Sequence, residues 1–185
     1  MPCMKIEFDD IVFDREVYSY CVNDKFECPN YNHSYSCPPA ATFLRDRASK
    51  FKEFYLIYSK HDIDVYVKKV KAKHPRRSEE QIRNSFFLKG SYDEIYEEIS
   101  LFLDNYRKKY DEYLVIWPAK CNICDNKEDG GCTYDSGEPC RYPEKLRHTM
   151  TGAGINTNKT VSRLNIELEW PPVRYAYRFS LVCFK

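Results

Sequence analysis

No run of apolar residues in this chain is long enough to cross a bilayer; the longest uninterrupted stretches are only a few residues. The N-terminus turns acidic by Asp9 and Asp10, where an export signal needs an apolar core. Neither charge is in excess: 29 Lys+Arg stand against 28 Asp+Glu, a formal net charge of +1. That balance argues against an electrostatic nucleic-acid binder, which is normally basic. Internal repeats and low-complexity segments are missing, as are a serine-nucleophile elbow, a phosphate loop and a His-Glu-x-x-His motif. The segment from Thr151 to Asn156 holds two glycines but lacks the third glycine and the preceding strand of a dinucleotide fingerprint, so it reads as a helix stop. The expectation is a cytoplasmic protein with neither a membrane nor a nucleic acid as partner.

What is present is cysteine. Seven of the nine fall into two groups, Cys21, Cys28 and Cys37 in the first, Cys121, Cys124, Cys132 and Cys140 in the second. In a reducing cytosol structural disulfides are rare, and an odd cysteine count fits poorly with a fully paired framework. A chain of 185 residues also buries enough surface to fold without cross-links. Soft sulfur ligands at loop spacing therefore point to bound metal.

The rest of the chain reads as a single metal-binding domain over 1–185, with cysteine loops at 21–39 and 121–140. Ile6, Phe8, Ile11 and Phe13 suggest a strand or strand pair within 1–20. Ala41, Leu44, Ala48 and Phe51 recur at helical spacing after Pro38-Pro39. Phe54–Tyr58 reads as a buried strand, and alternation through Ile63, Val65 and Val67 predicts another from Ile63 to Val70. Ser78 and Gln81 form a capping-box pattern opening a helix to about Lys89. Gly90 interrupts it, and Ser91 with Glu94 repeats the signal. Tyr92, Ile95, Tyr96, Ile99, Phe102, Leu103, Tyr106 and Tyr110 then make one apolar stripe, a helix packed on a sheet. Tyr113–Trp117 is a further buried strand, a short helix is expected at 143–150 from Pro143, residues 157–169 suit helix or strand, and Tyr175 to Cys183 alternate as a final strand. The fold class is α/β or α+β: a mixed sheet of about four to five strands flanked by helices, with cysteine-rich metal-binding loops at one sheet edge.

In the second group, Cys121-x-x-Cys124 lets both sulfurs turn toward one centre. With Cys132 and Cys140 it reaches four thiolates, enough to close a [4Fe–4S] cluster or a Zn(Cys)4 site. Only one short-spaced pair is present, whereas structural zinc sites commonly use two, so the iron–sulfur reading leads and zinc is the alternative. A helix from Pro143 and the cations Lys120, Arg141, Lys145, Arg147 and His148 would offset an anionic cluster. The first group has three thiols where a closed site wants four. Cys3 or Cys183, His33 or a carboxylate could complete it, one iron could stay open as a Lewis acid, or the thiols could share a site with the second group.

The sequence Cys28-Pro-Asn-Tyr, Ser36-Cys37-Pro-Pro, Cys121-x-x-Cys124 and Cys140-Arg-Tyr-Pro-Glu-Lys-Leu-Arg followed by Gly154-Ile155 resembles a family of small cysteine-rich proteins of anaerobic archaea and bacteria, described as predicted metal-binding proteins with a domain of unknown function. The resemblance runs from about Cys21 to Phe184. It implies that Cys21, Cys28, Cys37, Cys121, Cys124, Cys132 and Cys140 are metal ligands. Relatives commonly place the third cysteine of the second group close behind the Cys-x-x-Cys pair; here Asn126 to Gly131 push it out to Cys132.

Two functions follow. One is an iron–sulfur protein with one or two [4Fe–4S] clusters, for electron transfer or for redox or sulfur chemistry, its partner a redox protein or a small-molecule substrate. The other is a zinc-stabilised, non-catalytic binding module, with Tyr20, Phe26, Tyr31 and Tyr35 lining a contact surface.

Overall fold

The computed structural model describes residues 3–24, 26–86, 92–126, 128, 130–169 and 172–185. In chain order the described elements are β1 (Cys3–Ile6), β2 (Val22–Asn23), β3 (Phe26–Glu27), α1 (Arg45–Ala48), β4 (Glu53–Asp62), α2 (Ile63–Lys73), α3 (Glu79–Asn84), α4 (Asp93–Tyr106), β5 (Tyr113–Ile116), α5 (Thr157–Arg163) and β6 (Tyr175–Phe184), joined by 3-10 turns and irregular segments. Two aromatic-rich strands of ten residues, β4 and β6, pair along their whole length from Glu53 opposite Phe184 to Asp62 opposite Tyr175. With β1 and β5 they form a sheet in the order β1-β4-β6-β5, and every pairing in it is antiparallel. The class is α+β, and the second sheet is only the β2-β3 hairpin inside the first cysteine loop.

Period-two alternation sends successive side chains of each strand to opposite faces. On one face Leu56, Leu114, Ile116, Phe179, Leu181 and Cys183 meet Met150, Ala153, Ile155 and Val161 from the cysteine-rich half. On the other, Ile57, Val115, Val182 and Phe184 meet Ile95, Ile99 and Phe102 of α4. These three α4 residues are fully covered, as the apolar stripe predicts. Each contributes about 1.5–3 kcal/mol of hydrophobic stabilisation. The sheet is thus a partition, with an ordinary helix behind it and the cysteine loops in front.

Several local expectations change. Ile63–Val70 is helical: Ile63 and Val67 are buried at i and i+4, with Tyr66 and Val70 packed beside them. Asp62 caps this helix by accepting from the Val65 N–H at 3.0 Å. Its β-branched residues mimicked a strand, and the cap together with the i, i+3, i+4, i+7 spacing decided otherwise. Among the described residues of 1–20 only Cys3–Ile6 is a strand, followed by 3-10 turns at Phe8–Asp10 and Arg15–Tyr20. The helix after Pro39 shrinks to the single turn of α1. Ser78 and Gln81 do form the reciprocal capping box of α3. That helix ends at Asn84 with Ser85 as its C-cap, short of the expected Lys89; residues 87–91, with the signals at Gly90 and Ser91, lie outside the described residues.

Candidate metal centre

Each cysteine group is gathered by its own backbone turns. In the first loop, β2 and β3 pair Val22 with Glu27 and Asn23 with Phe26, so the hairpin brings its two flanking residues, Cys21 and Cys28, across from each other. The Cys28 N–H donates to the Cys21 carbonyl at 2.7 Å. A seven-residue spacing thereby becomes a cross-strand pair. The chain then turns back, the Asn32 N–H donating to the Pro38 carbonyl at 2.8 Å and the Cys37 N–H to the Ser34 carbonyl at 3.1 Å. Cys37 returns buried.

In the second loop the longer insertion before Cys132 is absorbed by two glycines in the left-handed region, Gly130 at φ +66° and Gly131 at φ +99°. They allow the Gly131 N–H to reach the Cys124 carbonyl at 3.0 Å. Cys132 therefore comes back beside the Cys-x-x-Cys pair despite its distance in sequence. A second reversal follows: Gly137 N–H donates to Tyr134 O at 3.0 Å, and Thr133 Oγ1 donates to Pro139 O at 2.9 Å. That turn returns Cys140.

All four cysteines of the second group line one small, shallow cleft open to solvent, together with Ser34, Tyr35, Ile123, Asp125, Tyr142 and Leu146. Tyr35 comes from the first loop. Its hydroxyl donates to the Glu138 carbonyl and its ring meets Tyr134 edge-on at 5.0 Å. Tyr134 in turn donates to Asn32 Oδ1 at 2.8 Å, and His33 Nδ1 lies 2.9 Å from Asp135 Oδ1. The two loops are laced into one lobe.

Ser36 is the closest link between the groups. It is completely buried, its Oγ accepts from the Cys121 N–H at 2.9 Å, and the same oxygen lies 3.8 Å from Cys37 Sγ. Its carbonyl accepts from Thr149 Oγ1 at 3.2 Å. In sequence this serine stands only beside Cys37 in Ser36-Cys37-Pro-Pro, and nothing in spacing or periodicity marks its tie to Cys121.

Electrostatics join the thiols as well. Burial pushes Cys21 up to about 11, and the charges of Cys28 and Cys37 add to the rise. Cys37 is also raised, first by burial; Cys28 and Cys121 add to it, while the Ser36 hydrogen bond and Lys120 oppose it. Cys37 thus feels a thiol from each group, which places the two sets side by side. Without metal Cys21 and Cys37 hold their protons at neutral pH.

Other expectations are redrawn here. Pro143 opens only a 3-10 turn, Pro143–Lys145, so no helix dipole is available beside Cys140. His148 is buried and its pKa is pushed down, first by burial and then by Arg47, so it brings no charge to a cluster. Arg147 stacks over Trp117 at 4.1 Å and donates to Asn122 Oδ1 at 2.7 Å, while Arg141 donates to the Gly131 carbonyl at 2.8 Å. Cys183 sits fully buried in the sheet core opposite Phe54 and Leu114, so it cannot complete the first group. Cys3 is exposed on the outer strand β1.

Among the described residues no three His, Cys, Asp or Glu side chains converge tightly enough for a single ion. The thiols of the second group stand around a cleft instead, a donor set whose chemistry fits a thiolate-bound metal group. A protein-family comparison matches residues 4–184 to the DUF2284 family, described as predicted metal-binding protein. The chain belongs to this family. No curated protein and no solved structure matches it. Family membership agrees with the sulfur-rich lobe and names no metal. Among the described residues no helix is long and apolar enough to cross a membrane.

Proposed function

We propose that this metal-binding protein carries iron–sulfur clusters, one held by Cys121, Cys124, Cys132 and Cys140, with Cys21, Cys28 and Cys37 as a second ligand set beside it. The observation that carries the reading is the single cleft ringed by four thiols from three separate turns. A zinc ion would draw four sulfurs to bonds of about 2.3 Å around one point, whereas a cluster accepts ligands spaced around a cage. When bound, such a cluster passes single electrons at a potential set by its charge, solvent exposure and the hydrogen bonds to its sulfurs.

The chain's own groups are disposed to tune that environment. Ile123, Leu146 and Tyr142 wall the cleft, and Tyr35 roofs it from the first loop. Ser36 Oγ holds the Cys121 backbone and sits beside the Cys37 sulfur, so one hydroxyl fixes the spacing of both sets. Lys120 supplies positive charge to Cys37. The first set holds three thiols, and Cys183, enclosed in the core, cannot add a fourth. A three-thiol set beside a four-thiol set suits electron delivery to a small substrate at the incomplete site, in a cytoplasmic redox role.

The test is anaerobic reconstitution followed by iron and acid-labile sulfide analysis. One cluster gives about four of each per chain, two give about twice that, and the protein is brown. A colourless protein holding stoichiometric zinc and no sulfide overturns the iron reading in favour of a zinc-stabilised module.

A further inference from the structure

The helix-covered face of the sheet carries a polar island between two apolar clusters. On one side lie Ile57, Val182 and Phe184 under α4, and on the other Ala176 with Ile63, Val67, Ile82 and Phe86. Between them, at alternate positions of β4 and β6, stand Ser59, His61 and Arg178, with Ser59 directly opposite Arg178 in the ladder. Arg178 is only 4% exposed. Burying a guanidinium is costly unless its N–H groups find acceptors.

One side of this guanidinium is well held. Nη1 lies 3.3 Å from His61 Nε2, and the rings of Tyr92 and Phe86 flank the cation at 4.0 and 4.6 Å. Burial and the Arg178 charge push His61 below its ordinary pKa. A neutral imidazole can accept at Nε2 and present Nδ1–H toward Glu94 Oε2, 3.6 Å away. The other side is unsatisfied: Nε and Nη2 are buried and have no hydrogen-bond partner among the described residues. These two nitrogens share one edge of the guanidinium and direct parallel N–H groups, the arrangement that takes both oxygens of a carboxylate or two of a phosphate. Leaving such buried donors unmade is costly. A methionine between the same clusters would avoid that cost.

We infer that Arg178 is the anchor of a binding site for a small oxyanion, the carboxylate or phosphate group of a small molecule, which its Nε and Nη2 grip bidentately while His61 fixes the guanidinium. Tyr96, one turn along α4 from Tyr92, has a raised pKa, chiefly through burial, and its phenol also feels Arg147, Tyr92, Arg178 and Cys121. Its grip on the anion needs no metal.

The test follows the Arg178 Nε–H resonance by NMR, assigned through its contacts to the Phe86 and Tyr92 rings, in metal-free and metal-loaded protein. Sodium acetate and sodium phosphate are titrated against sodium chloride at matched ionic strength, with calorimetry in parallel. Expected is a saturable, one-site shift with acetate, with phosphate or with both, and none with chloride; which anion acts identifies the ligand group. Arg178→Lys keeps the charge, loses the fork and weakens the anion about tenfold or more, the loss of one charge-assisted hydrogen bond. If that variant does not fold, the wild-type resonance still decides. An unshifted resonance, an equal response to chloride, affinity unchanged in a folded Arg178→Lys protein, or a crystal structure with Glu94 or Glu98 filling the fork overturns the proposal. None of these outcomes depends on the iron content.

Discussion

Gly152 packs against Ser36 and belongs to neither cysteine group, and replacing it with alanine tests how the lobe is held together. An added Cβ would lie well inside van der Waals contact with the Ser36 carbonyl oxygen, 2.7 Å from Thr149 Oγ1 and 3.1 Å from Ala41 Cβ. The nearest of these is backbone, which cannot swing aside, so Ser36 must move. Overpacking of this kind costs about 1–3 kcal/mol. Moving Ser36 also weakens two hydrogen bonds, from Thr149 Oγ1 to its carbonyl at 3.2 Å and from the Cys121 N–H to its Oγ at 2.9 Å. Each is worth roughly 0.5–1.5 kcal/mol, so the whole loss is roughly 2–6 kcal/mol. In urea unfolding of the metal-free chain the midpoint should fall by about 1–3 M. Metal uptake should fall with it, because Cys37 and Cys121 lose their common support. Gly137→Ala is the control: its Cβ meets nothing within 4 Å, at φ +74°, so only the left-handed backbone penalty remains. That penalty is about 1–2 kcal/mol. A Gly152→Ala chain with an unchanged midpoint and full metal content would refute the account of Ser36 as the tie between the groups.

Ser36→Ala removes the acceptor of the Cys121 N–H, a part-buried donor, and should lower stability by about 1–3 kcal/mol in the same urea assay. Cys140→Ser should lower metal content per chain, measured by elemental analysis, whereas Cys183→Ala should leave it unchanged and cost only ~1 kcal/mol of packing. For pH, Cys21 and Cys183 are raised to about 11 and about 12, both by burial first. A folded-state pKa above the unfolded one, about 8.5, gives stability fully present below that value. The metal-free chain should therefore hold its urea midpoint up to about pH 8.5 and lose it progressively toward pH 11–12; a flat midpoint across that window would contradict the burial of these thiols. Metal binding must displace the protons of its ligand thiols, so loading should release protons and strengthen as pH rises, measured by titration in buffers of differing ionisation enthalpy.

By itself the sequence determined the sulfur inventory, the strands at Phe54–Tyr58, Tyr113–Trp117 and Tyr175–Cys183, the capping box at Ser78 and the buried stripe of α4. These are local signals: ligand type, alternation, and a cap or stripe within one or two turns. Tertiary context decided the rest. Ile63–Val70 became a helix because Asp62 capped it and Ile63 and Val67 were buried together, against a β-branched composition that favours strands. Pro143 gave only a 3-10 turn, since the following residues bridge to the sheet through Trp117 and Thr149 instead of coiling. Cys183 looks like its loop counterparts in sequence, yet alternation along β6 seals it in the core. Ser36 stands in the sequence only as the neighbour of Cys37, and Arg178 carries no motif at all. Their importance comes from long-range partners, Cys121 85 positions away and His61 117 positions away. Contacts across such separations exist only once the chain has closed on itself.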